Sequence, residues 1–339
     1  MKDFKGKIAF ITGGASGAGM GQAKVFAKAG MRVAIADVRR DALHNAVGEI
    51  VEFAGCKVTD VLPLCFDLTD RDAYAEAADT VEKVFGGPPH LLIQTAGVNS
   101  FGPIEASTFD DFDWVVGVCF DHVVNGLIIF VPRMIRAYGG KDGVAKEEFH
   151  VATTSSMGGF MGGAGTGPYS AAKAAVNNLM YSYAQALQPY GASATVLAPG
   201  NINSNIGNAE KFRPEHLRNT GYHVSEGTMA HLRSIHSTGI DPVELAEILK
   251  EGIENGRVVV LPTQNPDEWA QMLRGSHEMI EDYTLTAEAR NKKMEERMAA
   301  RGAGGPPRGF GWEVPEGAEP FGGARKDLDY IDPSRNPKF

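Results

Sequence analysis

The chain is poor in residues that staple or ligate. Among 339 residues it has three cysteines, Cys56, Cys65 and Cys119. They form neither an even set for disulfides nor a cluster with metal-ligand spacing. A bridge framework and a structural zinc site are thereby set aside, no metal is expected, and a reducing cytoplasm is the expected home. Positive charge is short as well, with 33 Lys and Arg against 42 Asp and Glu and a net charge of −9. That argues against nucleic acid or an anionic membrane as the main partner. The first apolar run, Ile8 to Ile11, begins too early and is too short for a signal peptide or a membrane span. No internal repeat is found.

What is present is a globular composition, 43% hydrophobic and 22% charged, long enough for one large core with appendages. Ile8-Ala9-Phe10-Ile11-Thr12 reads as a buried strand running straight into Gly13-Gly14-Ala15-Ser16-Gly17-Ala18-Gly19 and an amphipathic helix to about Ala29. In that context the glycines matter, because they let backbone approach a pyrophosphate whose charge the helix N-terminus favours. A P-loop would need Gly-Lys-Ser/Thr, and Gly19-Met20-Gly21 offers no lysine. Arg32 to Ala36 is a second strand, ending at Asp37. A carboxylate there can accept both hydroxyls of an adenosine ribose and repel a 2′-phosphate, which favours NAD over NADP. Arg39 could instead pair with such a phosphate, and Asp37 could be an ordinary helix N-cap.

Further strands are expected at about Thr59 to Phe66, His90 to Ile93, Phe149 to Thr154, Ser193 to Leu197 and Val258 to Leu261. Helices fall between them: about Asp41 to Ala54, one opened by a Thr69/Asp72 capping box, a long one from Thr108/Asp111 to about Tyr138, and one from Tyr169 to about Gln188. Such alternation predicts right-handed βαβ units and an α/β fold, a single Rossmann-type, doubly wound parallel sheet of about seven strands. Residues 201–240 break the rhythm, being polar and too long for an ordinary connection; they form either a lid over substrate or a surface ornament. Asp241-Pro242-x-Glu244 then opens a helix that Gly256 ends. The expected domains are a dinucleotide-binding and catalytic domain over 1–262, a helical extension over 263–301, and a Gly/Pro-rich tail over 302–339 without a core of its own.

Tyr169 and Lys173, four apart on a helix, project from one face. Ser156 lies just past the fifth strand. Serine, tyrosine and lysine around one cleft suit proton transfer to and from an alcohol oxygen. Phe101, Phe160, Met161 and Tyr222 are candidates to line an aromatic pocket, and equally candidates for the core. His231 and His236 are read as solvated.

Taken jointly, Thr12-Gly-x-x-x-Gly17-x-Gly19, Asp67, Gln94-Thr95-Ala96-Gly97, Ser156, Tyr169/Lys173 and Pro199-Gly200 resemble the short-chain dehydrogenase/reductase family over roughly residues 5 to 262. The resemblance implies hydride transfer and a homodimer or homotetramer built on the long helices. It further implies nucleotide contacts from Gly13, Ser16, Gly17, Ala18, Gly19, Asp37, Asp67, Leu68, Thr95, Ala96, Gly97, Tyr169, Lys173, Pro199, Gly200 and Ile202. The chain departs from the pattern at two places. The family usually has Asn-Asn where Gln94-Thr95 stands, and Cys119 takes the place of an asparagine that holds a water in the proton relay. Asn125, on another face, is not expected to substitute. Finer likeness in Thr95 to Glu105, Gly158 to Gly162, Ser204 to Ile206 and Ser234 to His236 is to the Cα-dehydrogenases that oxidise the benzylic alcohol of lignin-derived β-aryl ethers. Two other readings remain open: a dehydrogenase for a steroid or other bulky secondary alcohol, and a non-catalytic NAD-binding regulatory protein.

Overall fold

The computed structural model describes residues 1–222 and 226–262, with isolated positions 289, 292 and 296. The expected boundaries of the 263–301 extension and the 302–339 tail lie outside the described residues. Met1–Pro262 fall in a single compact unit. Its strands are β1 (Ile8–Thr12), β2 (Arg32–Asp37), β3 (Val61–Cys65), β4 (Leu91–Gln94), β5 (His150–Thr154), β6 (Ser193–Leu197) and β7 (Val259–Val260). All pair in parallel in the order β3-β2-β1-β4-β5-β6-β7. The order reverses between β1 and β4, where a doubly wound sheet opens its ligand crevice.

Alternation along β1 shows why both faces are covered. Ile8 and Phe10 enter one core with Tyr74, Leu92, Phe130 and Met180; Ala9 and Ile11 enter the other with Phe26, Ile35, Leu43 and Leu249. The first core holds the sheet against α3 (Arg71–Phe85), α5 (His122–Tyr138) and α6 (Gly167–Ala186). The second holds it against α1 (Gly17–Lys28), α2 (Arg40–Ala54) and α8 (Pro242–Glu254). α1 and α8 approach so closely that a Cβ at Gly21 would run into the backbone of Pro242. Pro63 sits in β3, an edge strand, where a missing N–H costs no ladder bond on the open side.

Some expected boundaries shift for local reasons. β3 begins at Val61 because Val58–Asp60 closes a 3₁₀ turn first. The cap of α3 is Asp70, not Thr69: its carboxylate accepts the N–H groups of Asp72 and Ala73 at 3.0 and 3.1 Å. Thr69 instead turns back on Asp67, its hydroxyl donating to that carboxylate at 2.8 Å. The expected long helix starts as foreseen, with Thr108 and Asp111 in a capping box on α4 (Phe109–Val116). It then passes through a π turn, Gly117–Asp121, before α5. The stretch Phe109–Tyr138 is long and apolar enough to cross a membrane; its most apolar 18-residue window has a mean hydropathy of 1.9, but 61% of that window is buried inside the fold. Its apolarity serves the sheet's core.

Candidate active site

The glycine turn after β1 is built for close approach. Gly13 and Gly17 take φ of +68° and +53°, which side chains resist. A Cβ on Gly14 would come within 2.6 Å of Ile35, and one on Gly19 would strike the carbonyl of Gly13. Ser16 gives α1 no side-chain cap, and its first turn carries no acid. Open N–H groups at a helix start with glycine walls fit the pyrophosphate of a dinucleotide. Ala18 is buried behind the turn. Asp37, 6% exposed, ends β2. Asp67 accepts the N–H of Thr69 at 2.9 Å, while the Leu68 carbonyl accepts from Asn125 at 3.1 Å. Asn125 is thus engaged away from position 119, as its spacing foretold.

Beside the turn, buried polar groups tie three strand ends together. Thr12 Oγ1 accepts the N–H groups of Thr95 and Ala96 at 2.8 and 3.2 Å. It also lies 3.3 Å from His122 Nε2. Thr95 Oγ1 bonds to Gln22 Oε1 at 2.6 Å and to Thr154 Oγ1 at 2.8 Å. Gln94 donates to the carbonyls of His122 and Val123 at 3.1 and 2.9 Å. Gln94-Thr95 therefore keeps the turn by its own bonds. Burial, reinforced by the charge of Lys173, holds His122 down to about 3, so it stays neutral at ordinary pH.

Ser156, Tyr169, Lys173 and Cys119 converge on two glycines. A Cβ on Gly97 would lie 3.6 Å from Lys173 Nζ and 3.7 Å from Cys119 Sγ. One on Gly158 would lie 3.5 Å from both Ser156 Oγ and the Tyr169 ring. Ser156 Oγ accepts the N–H of Gly158 at 3.1 Å, fixing the serine at the tip of β5. Lys173 is 3% exposed and donates to the Thr154 carbonyl at 2.8 Å, with its ammonium 5.6 Å from the centre of the Tyr169 ring. Burial lowers the lysine's pKa, against which Cys119 acts to raise it. Burial raises the Tyr169 hydroxyl above its ordinary value, Cys119 adds to this, and a hydrogen bond with Ser156 opposes it. The protein alone thus drives Tyr169 away from phenolate.

Cys119 lies in the π turn at 0% exposure. Its thiol donates to the Val98 carbonyl at 3.1 Å and accepts the Val98 N–H at 3.4 Å. Burial pushes the thiol up, with Lys173 and the Val98 bond pulling the other way.

The segment after β6 forms the remaining wall. Pro199 accepts the N–H of Met157 at 2.9 Å, and Gly200 faces Met157 Sδ. Ile202 bridges Ile240, so 203–239 leaves and returns through one neck. It contains turns Ile206–Phe212 and Glu215–Leu217 and helix α7 (Glu226–Ser237). Arg213 Nη1 pairs with Asp111 of α4 at 2.8 Å, both side chains nearly sealed at 2% and 0% exposure. The guanidinium also lies over Trp114, 5.0 Å from the ring centre. Tyr222, buried against Gly102, reaches Asp111 Oδ1 at 3.5 Å, and burial pushes its pKa up to about 12. Phe101 is buried with its ring 6.4 Å from that of His236. His236 is half-buried and its pKa is lowered by burial, which corrects its reading as a solvated side chain. Phe160 packs on the main core, and Met161 is half-buried nearby in sequence.

A family model described as short chain dehydrogenase matches residues 7–214. The chain belongs to the short chain dehydrogenase family. A C alpha-dehydrogenase of Sphingobium sp. (strain NBRC 103272 / SYK-6) is 51% identical over 262 residues, covering 77% of this chain and 82% of the relative. The crystal structure of the LigD apo form from Sphingobium sp. strain SYK-6 superposes with TM-score 0.65 at 43% identity, covering 83% of this chain and 98% of that one. A short chain dehydrogenase/reductase of Burkholderia phymatum in complex with NAD gives TM-score 0.74 at 30% identity, covering 83% and 96%. As a short chain dehydrogenase the protein is an oxidoreductase, an alcohol dehydrogenase that works with a nicotinamide cofactor. The likeness to Cα-dehydrogenases carried by the loop phrases agrees with its relatives.

Sequence reading missed several groups. Gln22, fully buried on α1, and Thr154, 5% exposed, give themselves away only in three dimensions. Asp111 was legible as a cap but not as the partner of Arg213.

Proposed function

We propose that the protein oxidises the benzylic Cα alcohol of a lignin-type β-aryl ether to the ketone, with NAD as hydride acceptor. The observation that carries this reading is the convergence of Ser156, Tyr169 and Lys173 on Gly97 and Gly158 beside the glycine turn. The 51% identity to a C alpha-dehydrogenase supports the substrate class. Asp37 at the end of β2 supports NAD over NADP.

Tyr169 takes the alcohol proton as general base, and Ser156 holds the substrate oxygen by a hydrogen bond. Lys173 binds the nicotinamide ribose and lends its charge to the phenolate. A free tyrosine has a pKa of about 10, and lowering it by about two to three units needs roughly 3–4 kcal/mol of favourable interaction. In the protein alone, the Ser156 hydrogen bond offsets only part of the burial that Tyr169 suffers. A bound nicotinamide would accept the hydride and add a second positive charge beside the tyrosine. Cys119, where the family resemblance implies an asparagine, keeps the Val98 loop in place through both of its backbone groups. Leu68, Ala96, Pro199, Gly200 and Ile202 line the nucleotide channel, residues 201–240 cover the substrate, and Phe101, Phe160, Met161 and Tyr222 face its rings. Residues 1–262 form the catalytic domain, followed by the 263–301 extension and the 302–339 tail. The exposed face of the long helices, where Ile128 is 63% exposed, makes a homodimer or homotetramer.

The test is near-ultraviolet absorbance of reduced nicotinamide with a guaiacylglycerol-type β-aryl ether, beside NADP+ and a steroid alcohol. Equal amounts of ketone and NADH, with little signal from the other two, support the reading. Turnover of the steroid alone moves the substrate class, and NAD+ binding without any alcohol oxidation favours a regulatory protein.

A further inference from the structure

One arginine joins the two ligand regions. Arg39 Nε donates to Asp37 Oδ1 at 3.0 Å and Nη2 to Oδ2 at 2.9 Å, a fork that occupies both carboxylate oxygens. The same Nη2 donates to Ser16 Oγ at 2.8 Å, just ahead of α1. The flat guanidinium also lies against Phe212, with Cζ 5.3 Å from the ring centre. Phe212 belongs to the substrate-side segment and is 49% exposed. Its neighbour Arg213 is locked to Asp111, so the segment has one buried anchor and one exposed contact on adjacent residues.

We propose that Arg39 is a positioning residue that couples the adenosine end of the nucleotide to the seating of the segment around Phe212. This rests on the reading of Asp37 as the ribose acceptor. A 2′-phosphate would draw the guanidinium off the Asp37 fork, because a phosphate is a strong bidentate partner for arginine. Phe212 would then lose the plane it stacks on. NADP is therefore penalised twice: at Asp37 by repulsion, and at the alcohol site through a loosened segment.

The test compares Arg39→Ala, Arg39→Lys, Phe212→Ala, Phe212→Trp and the double variant Arg39→Ala/Phe212→Ala, without nucleotide, by limited trypsin cleavage at exposed Lys211 and Arg218. Loss of an exposed cation–π contact should speed cleavage about two- to fivefold in either alanine variant. The double variant should be no faster than the faster single. Arg39→Lys, charged but without a planar face, should resemble Arg39→Ala, and Phe212→Trp should match the parent. At saturating nucleotide, the alcohol KM should be higher with NADP+ than with NAD+, and Phe212→Ala should erase that difference. Additive cleavage rates, or an Arg39→Ala variant altered only in nucleotide affinity, overturn the proposal. An Asp37→Ser variant separates the two ideas: unchanged NAD/NADP preference defeats the Asp37 reading while the cleavage series still judges the coupling.

Discussion

The glycine turn after β1 and the segment after β6 approach each other where Gly17 faces Ser204, 3.1 Å from where a Cβ would stand. They are held by different physics. The turn is made of backbone, and its shape follows from positive φ angles and the absence of Cβ atoms. The segment is made of side chains, hung on the buried Arg213–Asp111 pair and on Phe212. A backbone-built wall tolerates no added atom, whereas a side-chain-built wall tolerates additions but no loss of a partner. Nucleotide binding should thus respond to enlargement, and substrate binding to deletion.

The largest effect should fall between the two walls. Tyr169→Phe should cost about 10²–10⁴ in kcat, as loss of a general base does, while NADH binding measured by fluorescence stays near that of the parent. Retained turnover would remove Tyr169 from its role. Next comes Asp111→Ala, which leaves the buried Arg213 with Glu210, 3.4 Å away, as its remaining carboxylate partner, at a cost of about 1.5–3 kcal/mol for the lost charged hydrogen bond. Faster trypsin cleavage at Arg218 and a raised alcohol KM, with nucleotide Kd little moved, would sharpen the contrast; equal damage to both ligands would break it. Gly19→Ala tests the other wall. A methyl driven into the Gly13 carbonyl should cost about 1–3 kcal/mol, or about 5- to 150-fold in nucleotide Kd by calorimetry. Smallest is Cys119→Asn, expected to keep or raise activity, since an amide can also donate to and accept from Val98. Collapse of turnover in a folded, nucleotide-binding Cys119→Asn protein would show that the thiol has a function an amide cannot replace.

Legibility divides along the same line. Strand, glycine turn and helix are local patterns, so β1 with α1 and the caps Thr108 and Asp241 were readable within a residue or two. Tyr169 and Lys173 were readable because helical spacing is local too. The Arg213–Asp111 pair was not, because its members lie far apart in sequence and each alone looks like a surface charge. The π turn around Cys119 leaves no mark in composition, since the shift from i+4 to i+5 bonding is settled by packing. The aim of Lys173 at the Thr154 carbonyl depends on where β5 ends relative to α6, which no spacing encodes.

The near-contact of Gly21 with Pro242 reaches further than packing. Gly21 sits in the helix that begins at the glycine turn, and Pro242 opens the helix into which the 203–239 segment returns. A single methyl group there would press on both helices in one step. Gly21→Ala should therefore disturb two helix starts at once, and a library aimed only at the cleft would overlook it.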